Sequence, residues 1–128
     1  MKKYLLDSVI LIDHFNNIHQ ATDFIKQHYH ECCISAITRA EVLVGFDETE
    51  KSSVIPILNG FELLNIDKNI VDMTAQFRQK YRTKLPDALQ ASVAIYHNLI
   101  LVSRNSKDFK ENQSYLGREN LVLCPYVL

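Results

Sequence analysis

Short apolar runs alternate with longer helical patterns along this chain. Five runs have the length and content of buried strands, over residues 4–6, 32–34, 63–64, 99–102 and 121–123. Strands that alternate with helices favour a parallel sheet that helices cover on both faces. We therefore predict an α/β fold, a three-layer α/β/α sandwich with a central, mostly parallel sheet of about five strands.

The segments between these runs carry the spacing of helices. Residues 67–83 predict a helix with Asp67 as a suitable N-cap. Its apolar stripe has four members at steps of three and four: Ile70, Met73, Phe77 and Tyr81. The segment after Pro86 is apolar almost all round, which predicts a buried helix.

Three further segments predict helices. Residues 19–30 form one, and residues 36–46 form another that ends near Gly45. Residues 47–59 form the third, and we expect Pro56 to kink it or to restart it, because proline lacks the backbone N–H that a helix interior needs.

The composition predicts one globular domain. The 128 residues are 47% hydrophobic, which is enough to close one core, and no linker or repeat divides the single domain over 1–128. Asp7 and Ser8 interrupt the apolar N-terminus too early for a signal peptide, and no stretch approaches the roughly 18 apolar residues of a membrane helix. The three cysteines show no disulfide pattern. We therefore expect a cytoplasmic protein with no membrane segment.

Acidic residues lie where the predicted parallel strands end together. Asp7 follows the first strand directly, and Glu41 lies one to two helical turns after the second. Asp87 opens the buried helix that leads to the fourth strand, and Asp108 follows that strand. Ligands of open parallel sheets bind beyond the carboxyl ends of the strands. We therefore expect these four carboxylates to converge at one edge.

Taken singly, each acid also has a structural interpretation. Asp7 suits a helix cap, Thr38 with Glu41 fits a capping box, and Asp87 lies where a helix dipole prefers an acid. The presence of several acids at one edge of the sheet favours a functional site. Carboxylates about 5 Å apart repel each other by about 3 kcal/mol at an effective dielectric constant near 20. A structural sequence would avoid several such pairs.

A divalent cation removes that repulsion. Oxygen ligands without a neighbouring His or Cys cluster indicate Mg²⁺ or Mn²⁺ rather than Zn²⁺. Such sites are typical of phosphoryl transfer, in which the metal neutralises phosphate charge and activates water.

The arrangement resembles the PIN-domain ribonucleases, in particular the VapC-type toxins of toxin–antitoxin pairs. The matching motifs keep the family's order over nearly the whole chain: Leu5-Leu6-Asp7-Ser8, Ile34-Ser35-x-x-Thr38-x-x-Glu41-x-x-x-Gly45, Leu85-Pro86-Asp87-Ala88 and Leu101-Val102-Ser103-Arg104-Asn105-x-x-Asp108-Phe109. One departure is Ser103, where the family usually has threonine, so a hydroxyl is retained.

The resemblance implies cleavage of RNA, an α/β/α sandwich, Mg²⁺ or Mn²⁺ as cofactor, a homodimer, and inhibition by a small antitoxin protein. Carried over position by position, the acidic core comprises Asp7, Glu41 and Asp87. The same acids are then both the catalytic residues and the metal ligands.

The last motif leaves open whether Asn105 or Asp108 completes the site. Asn105 lies nearer the strand end, whereas Asp108 carries the charge that a metal or an attacking water needs. We expect Asp108 to contribute through water or as a weak ligand, with Asn105 positioning it. Ser8 and Ser103 are expected to act as supporting hydroxyls.

The overall charge gives no support for nucleic-acid binding. The 14 Lys and Arg residues against 15 Asp and Glu leave a net charge of −1, whereas proteins that hold nucleic acid by bulk charge are usually basic. RNA binding must therefore depend on a local arrangement. Lys84, Arg104 and Lys107 flank the acids and are candidate phosphate contacts, although a solvated charged face explains them equally well.

Two other interpretations remain open. A receiver-type phosphoacceptor domain also uses strand-end acids, but it needs adjacent acids after the first strand, where Asp7 stands alone. A non-catalytic interaction module on the same fold could have kept an acidic patch. A cleavage assay separates that module from an enzyme.

Overall fold

The computed structural model describes residues 1–104, 109–110 and 113–128. It contains a five-stranded sheet in the order β3-β2-β1-β4-β5, and every pairing is parallel. The strands are β1 Tyr4–Leu6, β2 Cys32–Ser35, β3 Glu62–Leu64, β4 Ile100–Val102 and β5 Val122–Leu123. Each of the predicted apolar runs forms a strand, with ends that differ by about one residue.

Helices connect the strands. They are α1 Ser8–Phe15, α2 His19–His28, α3 Ala36–Val44, α4 Glu48–Asn59, α5 Lys68–Tyr81 and α6 Leu85–Tyr96. A 3₁₀ turn over Tyr29–Glu31 follows α2, so the helix predicted over 19–30 changes type before β2. Asp67 caps α5 as predicted, because its side chain accepts a hydrogen bond from the Ile70 amide at 3.0 Å.

The helices form two layers, one on each face of the sheet. Alternate residues of β1 point to opposite sides: Leu5 packs with α5 and α6, whereas Tyr4 and Leu6 pack with α1 to α4. Each face has its own buried cluster, and the sheet lies between the two. The predicted three-layer α/β/α sandwich is therefore confirmed.

Pro56 does not restart the helix, which was one of the two outcomes expected for it. Helix α4 runs without a break from Glu48 to Asn59, with Pro56 inside it. Both Pro56 and Ser52, whose carbonyl loses its usual i+4 donor, are exposed, so water can replace the missing hydrogen bond. An Asp47–Glu50 capping box fixes the start of the helix.

The connections place a crevice beside β1. The chain passes from β1 outward to β2 and β3, and it then returns to add β4 and β5 on the other side. Ligands of open α/β sheets bind at such a switch point, outside the carboxyl ends of the strands.

The strand order β3-β2-β1-β4-β5 also excludes the receiver-type alternative, whose strands are ordered 2-1-3-4-5. Among the described residues, no helix is long and apolar enough to cross a membrane.

Candidate active site

Asp7 lies at the switch point, directly after the central strand. Its side chain is buried, and it accepts three hydrogen bonds. The Ser8 amide at 2.8 Å and the Gln90 Nε2 at 3.3 Å donate to Oδ1, and the Ser103 hydroxyl at 2.7 Å donates to Oδ2. Asp7 is also the N-cap of α1, so the structural and the functional interpretations of this residue are compatible.

Glu41 faces Asp7 from α3. Burial raises the pKa of its half-buried carboxyl above the usual value. A hydrogen bond with the Ser8 side chain opposes that shift, and the neighbouring Asp7 charge adds to it. The two carboxyls are therefore near enough for the charge of one to act on the other.

The capping interpretation of Glu41 was wrong. Helix α3 begins one residue after Ser35, whose hydroxyl accepts the Thr38 amide at 3.2 Å and so acts as the N-cap. Glu41 therefore lies inside the helix and caps nothing. Its carboxylate interacts instead with the Ser8 side chain and with the charge of Asp7.

Asp87 lies in the first turn of α6, half-buried. Because α6 leads back to the start of β4, its N-terminus lies at the same edge as the carboxyl ends of the strands. Gln90 follows Asp87 by three residues, on the same helical face, and reaches Asp7. The helix rises about 1.5 Å per residue, so Asp87 lies about 4.5 Å further along the helix axis, toward the crevice.

A buried polar network lies behind these acids. Gln90 is 1% exposed and connects Asp7 to two hydroxyl groups at the start of α3. Its Oε1 accepts the Ser35 hydroxyl at 2.7 Å, and its Nε2 donates to the Thr38 hydroxyl as well as to Asp7. The Thr38 hydroxyl in turn donates to the Leu6 carbonyl at 3.1 Å. Gln90 was not among the residues predicted from the sequence, although a polar residue in a mostly apolar helix was the available signal.

The candidate phosphate contacts differ in their environment. Lys84 is exposed at the N-cap of α6. Arg104 instead donates from Nε and Nη2 to the buried Asp13 carboxylate, at 2.5 and 3.0 Å. Lys107 lies outside the described residues, as do Asn105 and Asp108.

The described acids fit a hard divalent cation. No three His, Cys, Asp or Glu side chains gather closely enough to hold a metal among residues 1–104, 109–110 and 113–128, a set that leaves out Asp108. The pair of Asp7 and Glu41 still supplies oxygen donors alone, which Mg²⁺ and Mn²⁺ prefer. The three ion pairs of the described part of the chain involve other acids. A bound cation would relieve the repulsion from Asp7, which adds to the rise that burial causes in the pKa of Glu41.

Comparison with known families decides the assignment. The family model of the PIN domain matches residues 4–113. The chain belongs to the PIN-domain family. No curated protein matches the sequence significantly.

Solved structures agree with the assignment. A chain of a toxin–antitoxin complex from Klebsiella pneumoniae shares 33% identity with this PIN domain at a TM-score of 0.86, and the match covers 98% of this chain and 100% of that one. A chain of DNA-bound VapBC from Salmonella typhimurium shares 20% identity at a TM-score of 0.79, covering 96% and 98%. A chain of FitAcB from Neisseria gonorrhoeae shares 19% at 0.74, covering 98% and 99%. The VapC-type PIN domain predicted from the motifs is confirmed.

Proposed function

We propose that this PIN domain is a Mg²⁺- or Mn²⁺-dependent endoribonuclease and the toxin of a toxin–antitoxin pair. The observation that carries the proposal is the buried Asp7 carboxylate at the switch point of the sheet, which accepts three hydrogen bonds, with Glu41 near enough to interact with its charge and Asp87 at the same edge. The three hydrogen bonds on Asp7 hold its carboxylate in one orientation. Such preorganisation suits a metal site better than a helix cap, which needs only one hydrogen bond.

The reaction is hydrolysis of a phosphodiester, in which water adds to phosphorus as a P–O ester bond breaks. When bound, the cation supplies charge neutralisation on the phosphate and Lewis-acid activation of water. Asp7, Glu41 and Asp87 would hold it, with Asp108 as a fourth or water-mediated ligand and Asn105 as its neighbour. Ser8 and Ser103 support Glu41 and Asp7 through their hydrogen bonds.

RNA phosphates need basic side chains beside the acids. Lys84 is exposed at the N-terminus of α6, next to Asp87, and Lys107 belongs to the segment that follows β4. We include both as phosphate contacts. Arg104 is the weakest of the three candidates, because Asp13 already binds two of its nitrogens.

A small antitoxin protein is the proposed partner. The Klebsiella pneumoniae structure, at 33% identity, is a toxin–antitoxin complex. Val44 is 85% exposed on α3, three residues after Glu41, and Phe46 and Ile55 nearby are half-buried. An inhibitor that packs on this apolar surface could place a basic side chain against the acids, where it would replace the charge of the metal.

A homodimer is proposed on the same family basis. Three large apolar side chains of the α5–α6 layer are half exposed, which suits a contact between copies: Val71, Leu85 and Tyr96. Light scattering on the purified chain gives its mass in solution.

The three unpaired cysteines suit a reducing compartment, and we propose that the protein acts in the cytoplasm.

The experiment that tests the enzyme is cleavage of a fluorescent single-stranded RNA by the purified protein. We expect cleavage with Mg²⁺ or Mn²⁺ and none in excess EDTA. The Asp87→Asn variant, purified in the same way, controls for contaminating nucleases. Cleavage that persists in EDTA would contradict the metal mechanism. No cleavage under any metal would favour the non-catalytic interaction module instead.

A further inference from the structure

Gln90 is the buried amide that joins the acidic site to the start of α3. We infer that Gln90 is a positioning residue, which fixes the Asp7 carboxylate for cation binding by donating a hydrogen bond from Nε2 to Oδ1. The inference rests on the proposed function, and it goes beyond it by assigning a role to a residue outside the acidic motifs.

The two neighbouring hydroxyls fix the orientation of the Gln90 amide. The Ser35 oxygen accepts the Thr38 backbone N–H at 3.2 Å, so its own proton is available for the Gln90 Oε1 at 2.7 Å. The Thr38 hydroxyl donates its proton to the Leu6 carbonyl, so it can only accept from Gln90 Nε2. A flipped amide would set its oxygen against two acceptors, the Thr38 hydroxyl oxygen and the Asp7 carboxylate. The Nε2 group is therefore held toward Asp7.

With the Gln90 amide in this orientation, Asp7 accepts hydrogen bonds on both of its carboxylate oxygens. Gln90 and the Ser8 amide donate to Oδ1, and Ser103 donates to Oδ2. Three donors from α6, α1 and the end of β4 leave the carboxylate little freedom to rotate. Groups that hydrogen-bond a metal ligand fix its orientation, and their loss typically weakens metal affinity about 10–100-fold.

The variant that tests the inference is Gln90→Met, which keeps the length of the side chain and removes both polar groups. We expect Mn²⁺ to bind the folded variant about 10–100-fold more weakly than it binds the wild type, measured by the electron paramagnetic resonance signal of free Mn²⁺. We also expect RNA cleavage to need correspondingly more Mn²⁺.

The matched control is Val93→Ala, on the same helix. Val93 is fully buried in the cluster on the α5–α6 side of the sheet, so its truncation destabilises the fold without a contact to Asp7. If Gln90 acts only through stability, both variants will bind Mn²⁺ alike once both are folded. If Gln90 positions Asp7, the control will bind Mn²⁺ like the wild type, and Gln90→Met will bind it more weakly than both.

A second measurement uses the wild type alone and decides the matter if Gln90→Met fails to fold. The side-chain NH₂ signals of Gln90 are expected to shift as Mg²⁺ saturates the site. No shift at saturating Mg²⁺, or wild-type affinity in folded Gln90→Met, would overturn the inference and leave the proposed nuclease intact. A wild type that neither binds Mn²⁺ nor cleaves RNA contradicts the proposed function, and the inference with it.

Discussion

Arg104 and Asp13 form a two-point ion pair that ties the end of β4 to α1. The Arg104 Nε and Nη2 donate to the two Asp13 oxygens at 2.5 and 3.0 Å, and the Tyr126 hydroxyl adds a third hydrogen bond at 2.7 Å. The Asp13 side chain is 6% exposed and that of Arg104 is 34% exposed. The pair therefore connects three parts of the chain next to the candidate site.

The first prediction concerns the stability that this ion pair gives. Arg104→Met leaves the buried Asp13 charge with Tyr126 alone, so we expect a loss of about 2–3 kcal/mol in the free energy of unfolding, measured by urea denaturation. The control is Lys51→Met, which breaks the Lys51–Glu48 pair, where Glu48 is 92% exposed. We expect less than about 1 kcal/mol there. Equal losses would contradict the role assigned to Arg104.

The second prediction is the pH dependence of that contribution. The Arg104 hydrogen bond lowers the pKa of Asp13 below its usual value, against the opposing effect of burial. Below that usual value the unfolded chain binds more protons than the folded one, so stability rises with pH there. The contribution is therefore present above the usual pKa and lost as the pH falls through the lowered one. We expect the difference in unfolding free energy between wild type and Asp13→Asn to shrink between about pH 5 and pH 2. A difference that stays constant would contradict this.

The third prediction separates Asp7 from Asp87. Both Asp→Asn variants should lose RNA cleavage, because each removes a proposed metal ligand. In the wild type, both Asp7 oxygens accept hydrogen bonds. The Asp7→Asn variant replaces one of these oxygens with an NH₂ group, which faces a donor. We therefore expect the free energy of unfolding of this variant to fall by about 1–3 kcal/mol. Thermal unfolding in EDTA together with the cleavage assay gives both values. Full cleavage by either variant contradicts its place in the site.

The fourth prediction is that Glu41 limits the stability of the metal-free protein. Burial raises the pKa of Glu41, and the Asp7 charge raises it further. The folded state thus binds the proton more readily, and stability falls as the pH rises from the usual pKa through the raised one. We expect Glu41→Gln to melt higher than the wild type at pH 8 in EDTA and to lose that advantage near pH 4. The exposed Glu119→Gln serves as control. Identical melting of Glu41→Gln and wild type at pH 8 would contradict the prediction.

The sequence predicted the architecture because local patterns determine it. Apolar runs and helical spacing identified the strands and most helices, and the parallel sheet then placed Asp7, Glu41 and Asp87 at one edge. The restart expected as one outcome at Pro56 does not occur, because the sequence alone does not distinguish a proline tolerated on the exposed side of a helix from one that ends a helix.

Contacts between distant residues were beyond the sequence patterns. Asp13 and Arg104 are 91 residues apart, and nothing local to either indicates the other. Arg104 was consequently interpreted as a phosphate contact. Gln90 was overlooked for a similar reason, since its partners Ser35 and Thr38 come from another part of the chain. Only the folded packing brings these groups together.

The last prediction concerns the apolar surface beside the acids. Val44 is 85% exposed at the end of α3, about one turn beyond Glu41, so it lies on the surface beside the acids. A charge there removes apolar contact area and leaves a buried charge without a partner in the complex. We expect Val44→Asp to weaken binding of the protein encoded by the adjoining open reading frame by at least tenfold in calorimetry, with RNA cleavage retained.

The matched control for Val44→Asp is Val71→Asp, an equal change at a 50% exposed valine on α5, which packs on the other face of the sheet. We expect Val71→Asp to leave partner binding unchanged, because α5 and α3 cover opposite faces of the sheet. If that change weakens binding as much as Val44→Asp does, and light scattering gives the same mass as for the wild type, the partner covers the α5–α6 layer instead. If neither does, the surface around Val44 is not the docking site, and inhibition has to act through the acids alone.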